Sequence, residues 1–153
     1  MTHRLRPRYK LLAWTSIGIG TPLTAVGIVA GGVLLPIAAG FMGIAAGAAY
    51  LASPMWRLEV VVDDNGLEVR SPKRTRFRVA WADIVKVVAS PTTHTCFVDG
   101  GAPDKSLLVP GVGAPAPYDI ADKATLYDAI LARVAASKVE TVERLELYAK
   151  AMK

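Results

Sequence analysis

The residues of this chain able to do chemistry are few and scattered. His94 and Cys96 stand two apart in a strand-like run, and His3 is the other histidine. A zinc site takes four ligands in tetrahedral order, so this pair predicts no metal centre. Asp63, Asp64, Asp99 and Asp104 fall in turn-like segments, where aspartate serves the local backbone. Gly111-Val112-Gly113 lacks the strand-to-helix setting and the lysine of a phosphate loop. No nucleophile stands beside a base. The expectation is a non-enzyme with no catalytic residue and no cofactor. Cys96 is the one cysteine; it forms no intrachain disulfide and reads as a small buried apolar residue of a reducing compartment.

What remains is a cluster of cations, Arg70, Lys73, Arg74, Arg76 and Arg78. In a regular strand Arg74, Arg76 and Arg78 project from one face. Close to a bilayer each such charge gains up to ~1 kcal/mol from anionic lipid. The plain alternative is a solvated face with cross-strand partners such as Glu68.

Composition shows what must position these residues. The net charge is +5, yet from Leu11 to Ala52 there is no Asp, Glu, Lys, Arg or His. A soluble helix needs a wet face, which this block lacks. Leu11–Ala30 and Val33–Ala52 are each long enough to cross a ~30 Å hydrocarbon layer. Gly31-Gly32 between them suits a tight reversal. A cleaved signal peptide accounts for the first apolar run but leaves the second unexplained. The chain therefore divides into a basic leader (1–10), two transmembrane helices (about 11–30 and 33–52), a cytoplasmic domain (53–136) and an amphipathic C-terminal helix (137–153).

Arg4, Arg6, Arg8 and Lys10 precede the block and Arg57 follows it, while the glycine turn is uncharged. Cations mark the cytoplasmic side, so both termini are expected there, in a multi-pass protein of an inner (plasma) membrane. Trp14, Tyr50 and Trp56 suit that interface. The basic balance is thereby explained without nucleic acid. Ser16 and Gly20, Gly27 and Gly31, and Ala39, Gly43 and Gly47 recur at four-residue intervals. Small faces of this kind pack the two spans together or drive self-association. Pro22 and Pro36 are expected to bend or end helix locally.

After Trp56 the period changes to two. Leu58, Val60 and Val62 alternate, Asp63-Asp64-Asn65-Gly66 is a hairpin turn, and Leu67 and Val69 share the next face. Further strands are expected at Arg74–Trp81, Val85–Val88, Thr93–Val98 and Ser106–Val109. Pro110–Pro117 is irregular. Helical spacing then follows at Leu126, Ile130 and Val134, with Asp119 or Asp122 as cap. Ser137-Lys138-Val139-Glu140 fits a capping box that opens a second amphipathic stretch. That last stretch packs on the domain, lies on the membrane or binds a partner.

About six short strands closed by an amphipathic helix resemble the pleckstrin-homology-like (PH-like) fold. Asp64–Arg70 resembles the turn between its first two strands in the bacterial branch. Arg74 to Ile84, ending Trp81-Ala82-Asp83-Ile84, resembles its basic strand and Trp-x-Asp-Ile passage. Many such bacterial proteins place two spans before the domain. The resemblance covers roughly Trp56 to Val134 and implies a membrane α-hairpin plus a mainly-β domain, a small antiparallel roll or barrel capped by a C-terminal helix. It implies a binding scaffold: an adaptor for a protein partner or homo-oligomer or, alternatively, a reader of anionic membrane lipid headgroups through the basic strand.

Overall fold

The computed structural model describes residues 1–145. It divides into two compact units, one of residues Pro7–Pro54 and one combining Met1–Arg6 with the chain from Met55 onward.

The first unit is a helical hairpin. Helix α1 (Lys10–Val29) and helix α2 (Leu34–Leu51) are both long and apolar enough to cross a membrane. Gly31 and Gly32 reverse the chain at φ 88° and 82°, a region that side chains with a Cβ rarely enter. Helix α1 runs on through Pro22. Pro36 sits in the first turn of α2, where its missing N–H is no loss. At the open end the backbone N–H of Tyr9 donates to the Tyr50 hydroxyl at 3.0 Å. Every Ser and Thr of α1 turns its hydroxyl back onto the carbonyl four residues earlier: Thr15 to Leu11, Ser16 to Leu12, Thr21 to Ile17 and Thr24 to Gly20.

The seam between the helices follows a period of seven. Ala13, Gly20 and Gly27 of α1 and Gly40 and Gly47 of α2 are its buried residues. A Cβ on Gly20 would lie 2.5 Å from the Gly40 carbonyl oxygen, and one on Gly47 2.6 Å from that of Ala13. Gly43 is looser, 3.2 Å from the Ser16 oxygen. The four-residue pattern expected from sequence is corrected at two places. Gly31 belongs to the reversal with open space around it. Ala39 is exposed while its neighbour Gly40 is buried. Two helices in sustained contact meet every 3.5 residues, so a seven-residue repeat stays on the seam where a run of fours drifts off it.

The second unit is two sheets and a helix. One sheet has the order β4–β3–β2–β1–β8, with β1 Thr2–Pro7, β2 Glu59–Val62, β3 Gly66–Ser71, β4 Arg74–Ala80 and β8 Tyr118–Ile120. The other has the order β7–β6–β5–β9, with β5 Lys86–Ser90, β6 Thr95–Asp99, β7 Leu107–Val109 and β9 Val139–Thr141. Helix α3 (Lys123–Arg133) brings Leu126 and Ile130 into a core shared with Val60, Val62, Leu67, Ile84, Val87 and Val98. The Asp63–Gly66 turn forms as expected, with Asp63 Oδ1 accepting from the N–H groups of Asn65 and Gly66. Trp81 closes it by donating Nε1–H to the Asp63 carbonyl at 3.0 Å.

Three elements differ from the sequence reading. The stretch read as a basic leader is strand β1, inside the sheet between β2 and β8. It turns His3 and Leu5 inward and Arg4 and Arg6 outward. The helix expected from residue 137 begins as a 3-10 turn, Ala136–Lys138, and then strand β9, which pairs in parallel with β5. Residues 146–153 of that expected helix lie outside the described residues. Asp119 and Asp122 make no side-chain cap: Asp119 lies in β8 and bonds Lys123 Nζ at 3.0 Å, and Asp122 adopts φ 54°.

Candidate functional site

The basic strand does not present one stripe. The pairing of β3 with β4 sets Glu68 opposite Arg78 and Val69 opposite Phe77, then Arg70 opposite Thr75. Arg76 is the extra residue of a β-bulge, and a bulge flips the facing of everything beyond it. The side chains follow. Thr75 Oγ1 donates to Glu68 Oε1 at 2.9 Å, so Thr75 is on the Glu68 and Arg78 side. Arg76 turns toward the Phe77 side, and Arg74 sits opposite Ser71 at the strand's beginning. The shared face expected for Arg74, Arg76 and Arg78 is therefore broken at Arg76.

The five cations also divide by partner. Glu59 takes Arg4 at 2.9 Å and Arg70 at 4.0 Å. Arg78 pairs with Asp63 at 3.1 Å. The N–H groups of Gly66 and Asn65, with Arg78 adding to them, hold the Asp63 carboxyl below the usual carboxylate range. Lys73, Arg74 and Arg76 are exposed and have no carboxylate partner among the described residues.

These three stand at one end of the sheet. Arg4 lies opposite Glu59, Glu59 opposite Arg70, and Ser71 opposite Arg74. The end of β1, the start of β2 and the β3–β4 turn are thus side by side. At that same end the chain leaves the sheet for the helical hairpin, after Pro7, and returns, at Met55.

A cavity of about 190 Å³ adjoins them. Leu5, Leu58, Val69, Phe77 and Leu107 give it apolar walls, and Arg76, Asp104 and Tyr118 are the titratable groups on its border. The Tyr118 hydroxyl donates to the Leu108 carbonyl at 2.8 Å. Burial pushes its phenol up, and the nearby Arg76 guanidinium works against that shift.

His94 and Cys96 do not form a pair of ligands. His94 sits in the turn before β6 at φ 52°, its ring 5.7 Å from that of Tyr127. Cys96 is fully buried, and burial pushes its thiol up to about 12. No group of three or more His, Cys, Asp or Glu able to hold a metal occurs among the described residues. His3 is 4% exposed; its Nδ1 faces the Ala121 carbonyl at 3.1 Å, and its Nε2 has no partner among the described residues.

The unit thus combines two sheets, a Trp-closed turn and a helix in the core. Residues 57–119 match the bacterial PH domain family. The matched stretch runs from the start of β2 to β8, less than half of the chain. PH domains are in general non-catalytic modules that bind lipid or protein. The mainly-β unit also draws on β1 and α3, which lie outside the match. Sequence alternation at His3 and Leu5 was the one available signal for β1. Nothing in the sequence marked the bulge at Arg76. No curated protein and no solved structure matches the chain.

Proposed function

We propose that this chain is a non-catalytic binding module fixed in a bacterial plasma membrane by its helical hairpin, presenting the PH domain to the cytoplasm for a protein partner or a second copy. One observation carries the reading: the hairpin is an insertion between two hydrogen-bonded neighbours, β1 and β2, of a single sheet. A chain that crosses a bilayer between such strands must cross back. Both ends of the hairpin then share one side with the domain. Arg6, Arg8, Lys10 and Arg57 flank those ends, which makes that side cytoplasmic. The outward surface of the hairpin supports the same reading. Leu11, Leu34 and Leu35 are 82%, 78% and 80% exposed, a surface that water disfavours and hydrocarbon accepts. The hydroxyls bonded within α1 lower the cost of placing it there.

Labelling with a membrane-impermeant maleimide tests the topology. Buried, un-ionised Cys96 should stay silent in the folded protein. A cysteine at Gly31 should label from outside intact cells, and one at Lys73 only after permeabilisation. Equal labelling of both from one side would overturn the arrangement.

A second reading is recognition of anionic lipid headgroups, favoured by the three cations Lys73, Arg74 and Arg76, which have no carboxylate partner among the described residues. Only Arg8 and Tyr9 separate β1 from α1, a reach of ~7 Å. A hairpin in the bilayer therefore tethers the domain to the membrane through a short link. At ~1 kcal/mol per charge, changing all three to alanine should weaken the preference for acidic lipid on the order of a hundredfold. The measurement is energy transfer from the full chain to labelled acidic lipid in mixed-lipid nanodiscs. Unchanged enrichment in the triple variant would reject this reading.

A further inference from the structure

We infer that the cavity beside Arg76 is a binding site for a single-chain anionic amphiphile, its alkyl end held between the sheets and its phosphate or carboxylate head on the Arg76 guanidinium. This goes beyond headgroup recognition, which needs surface charge and no apolar compartment.

The size fits one chain end. An apolar cavity of ~150 Å³ holds benzene, whereas sites for whole drug-sized ligands run to ~300 Å³ and more. At about 190 Å³ the cavity accepts one ring-sized or short alkyl segment. Its walls offer such a segment little but contact: Leu5, Val69 and Leu107 are buried side chains, and Phe77, Leu58 and Met55 are half-buried. The Tyr118 hydroxyl is already committed to Leu108, and that of Ser106 to Ala102 at 2.8 Å.

The charge at the mouth selects the head. The bulge is what delivers Arg76 here, because a regular strand would have placed it with Arg78 on the far face. Arg76 has no carboxylate within ion-pair distance among the described residues, Asp104 included. Asp104 is the single acid on the border and Arg76 the single cation, and the two are not ion-paired, so the guanidinium is the group there that an anionic head can engage. A phosphate or carboxylate supplies the fork of acceptors that a guanidinium lacks here.

The test uses the full chain in nanodiscs of zwitterionic lipid and a probe of octyl phosphate carrying a diazirine in its tail. Photolysis followed by peptide mapping should place the label near Leu5, Met55–Leu58 or Phe77. Met55→Trp, which fills the cavity, should lower that labelling at least tenfold. Arg76→Gln leaves an exposed site foldable and should lower it about tenfold for the phosphate probe but not for a neutral octyl glucoside probe. Asp104→Asn should raise it. Lys73→Ala with Arg74→Ala should leave it unchanged, which separates this site from the headgroup reading. A phospholipid with a diazirine in its acyl chain, placed in the disc, identifies the source: the same peptides labelled means bilayer lipid, and labelling by the soluble probe alone means a free amphiphile. Label confined to residues 10–51, indifference to Met55→Trp in a variant that still melts cooperatively, or equal labelling by both heads would overturn the assignment. Weaker labelling in Asp104→Asn would reject a purely anionic head.

Discussion

Deleting residues 2–6 should abolish cooperative unfolding of the mainly-β domain. β1 occupies an interior place in its sheet, so its loss exposes an edge of β2 and one of β8 together. Leu5 leaves the core, where it is 6% exposed, at a cost of about 2–3 kcal/mol. The bonds from Leu5 N–H to the Leu58 carbonyl and from Ala121 N–H to the Arg4 carbonyl go with it. A domain holds ~5–15 kcal/mol in all, so a missing interior strand removes most of it. Residues 53–153 expressed alone should accordingly show no sharp thermal transition. Residues 1–7 joined to 54–153 by a short Gly-Ser turn should restore one. A cooperative transition in the 53–153 fragment would contradict this account of β1. The same dependence bears on processing: cleavage after α1, as for a signal peptide, would strip the domain of a strand.

Gly40→Leu should open the helical hairpin. A Cβ at Gly40 would meet the Thr24 hydroxyl and lie 2.5 Å from the Gly20 carbonyl oxygen, and backbone cannot move aside as a side-chain end can. Overpacking of this kind costs about 1–3 kcal/mol. Amide exchange across residues 10–51 should rise by one to two orders of magnitude. Gly18→Leu is the control, since a Cβ there meets nothing within 4 Å. Should Gly40→Leu dissolve cross-linked oligomers while leaving hairpin exchange unchanged, the glycine seam would join copies of the chain instead of the two helices.

Strand β1 and the glycine seam are the features that sequence periodicity resolved least. Both helices, their reversal at Gly31-Gly32, the Asp63–Gly66 turn and the alternation through β3 were legible because each depends on residues close in the chain. The seam was half legible. Gly20, Gly27, Gly43 and Gly47 were recognised, but Gly40 and the seven-residue repeat emerge only when two helices are laid against each other. The five cations were visible as a cluster, yet their division was not. Whether Arg70 and Arg78 are compensated depends on Glu59 and Asp63 across neighbouring strands, and whether Arg76 faces the cavity depends on one extra residue in a ladder.

The sequence by itself determined an uncharged pair of long apolar helices and a mainly-β domain with a helix. Those properties are local: charge, hydropathy and short-range period decide them. Tertiary structure alone decided that the leading residues are a strand, that Val139–Thr141 is a strand and not a helix start, and that Arg76 borders an apolar cavity. Each of these rests on pairing between segments far apart in the chain. β1 meets β2 across the whole hairpin, and β9 meets β5 across about fifty residues. The free energy that selects such pairings comes from burying Leu5 or completing a sheet, and no window of neighbouring residues contains both partners.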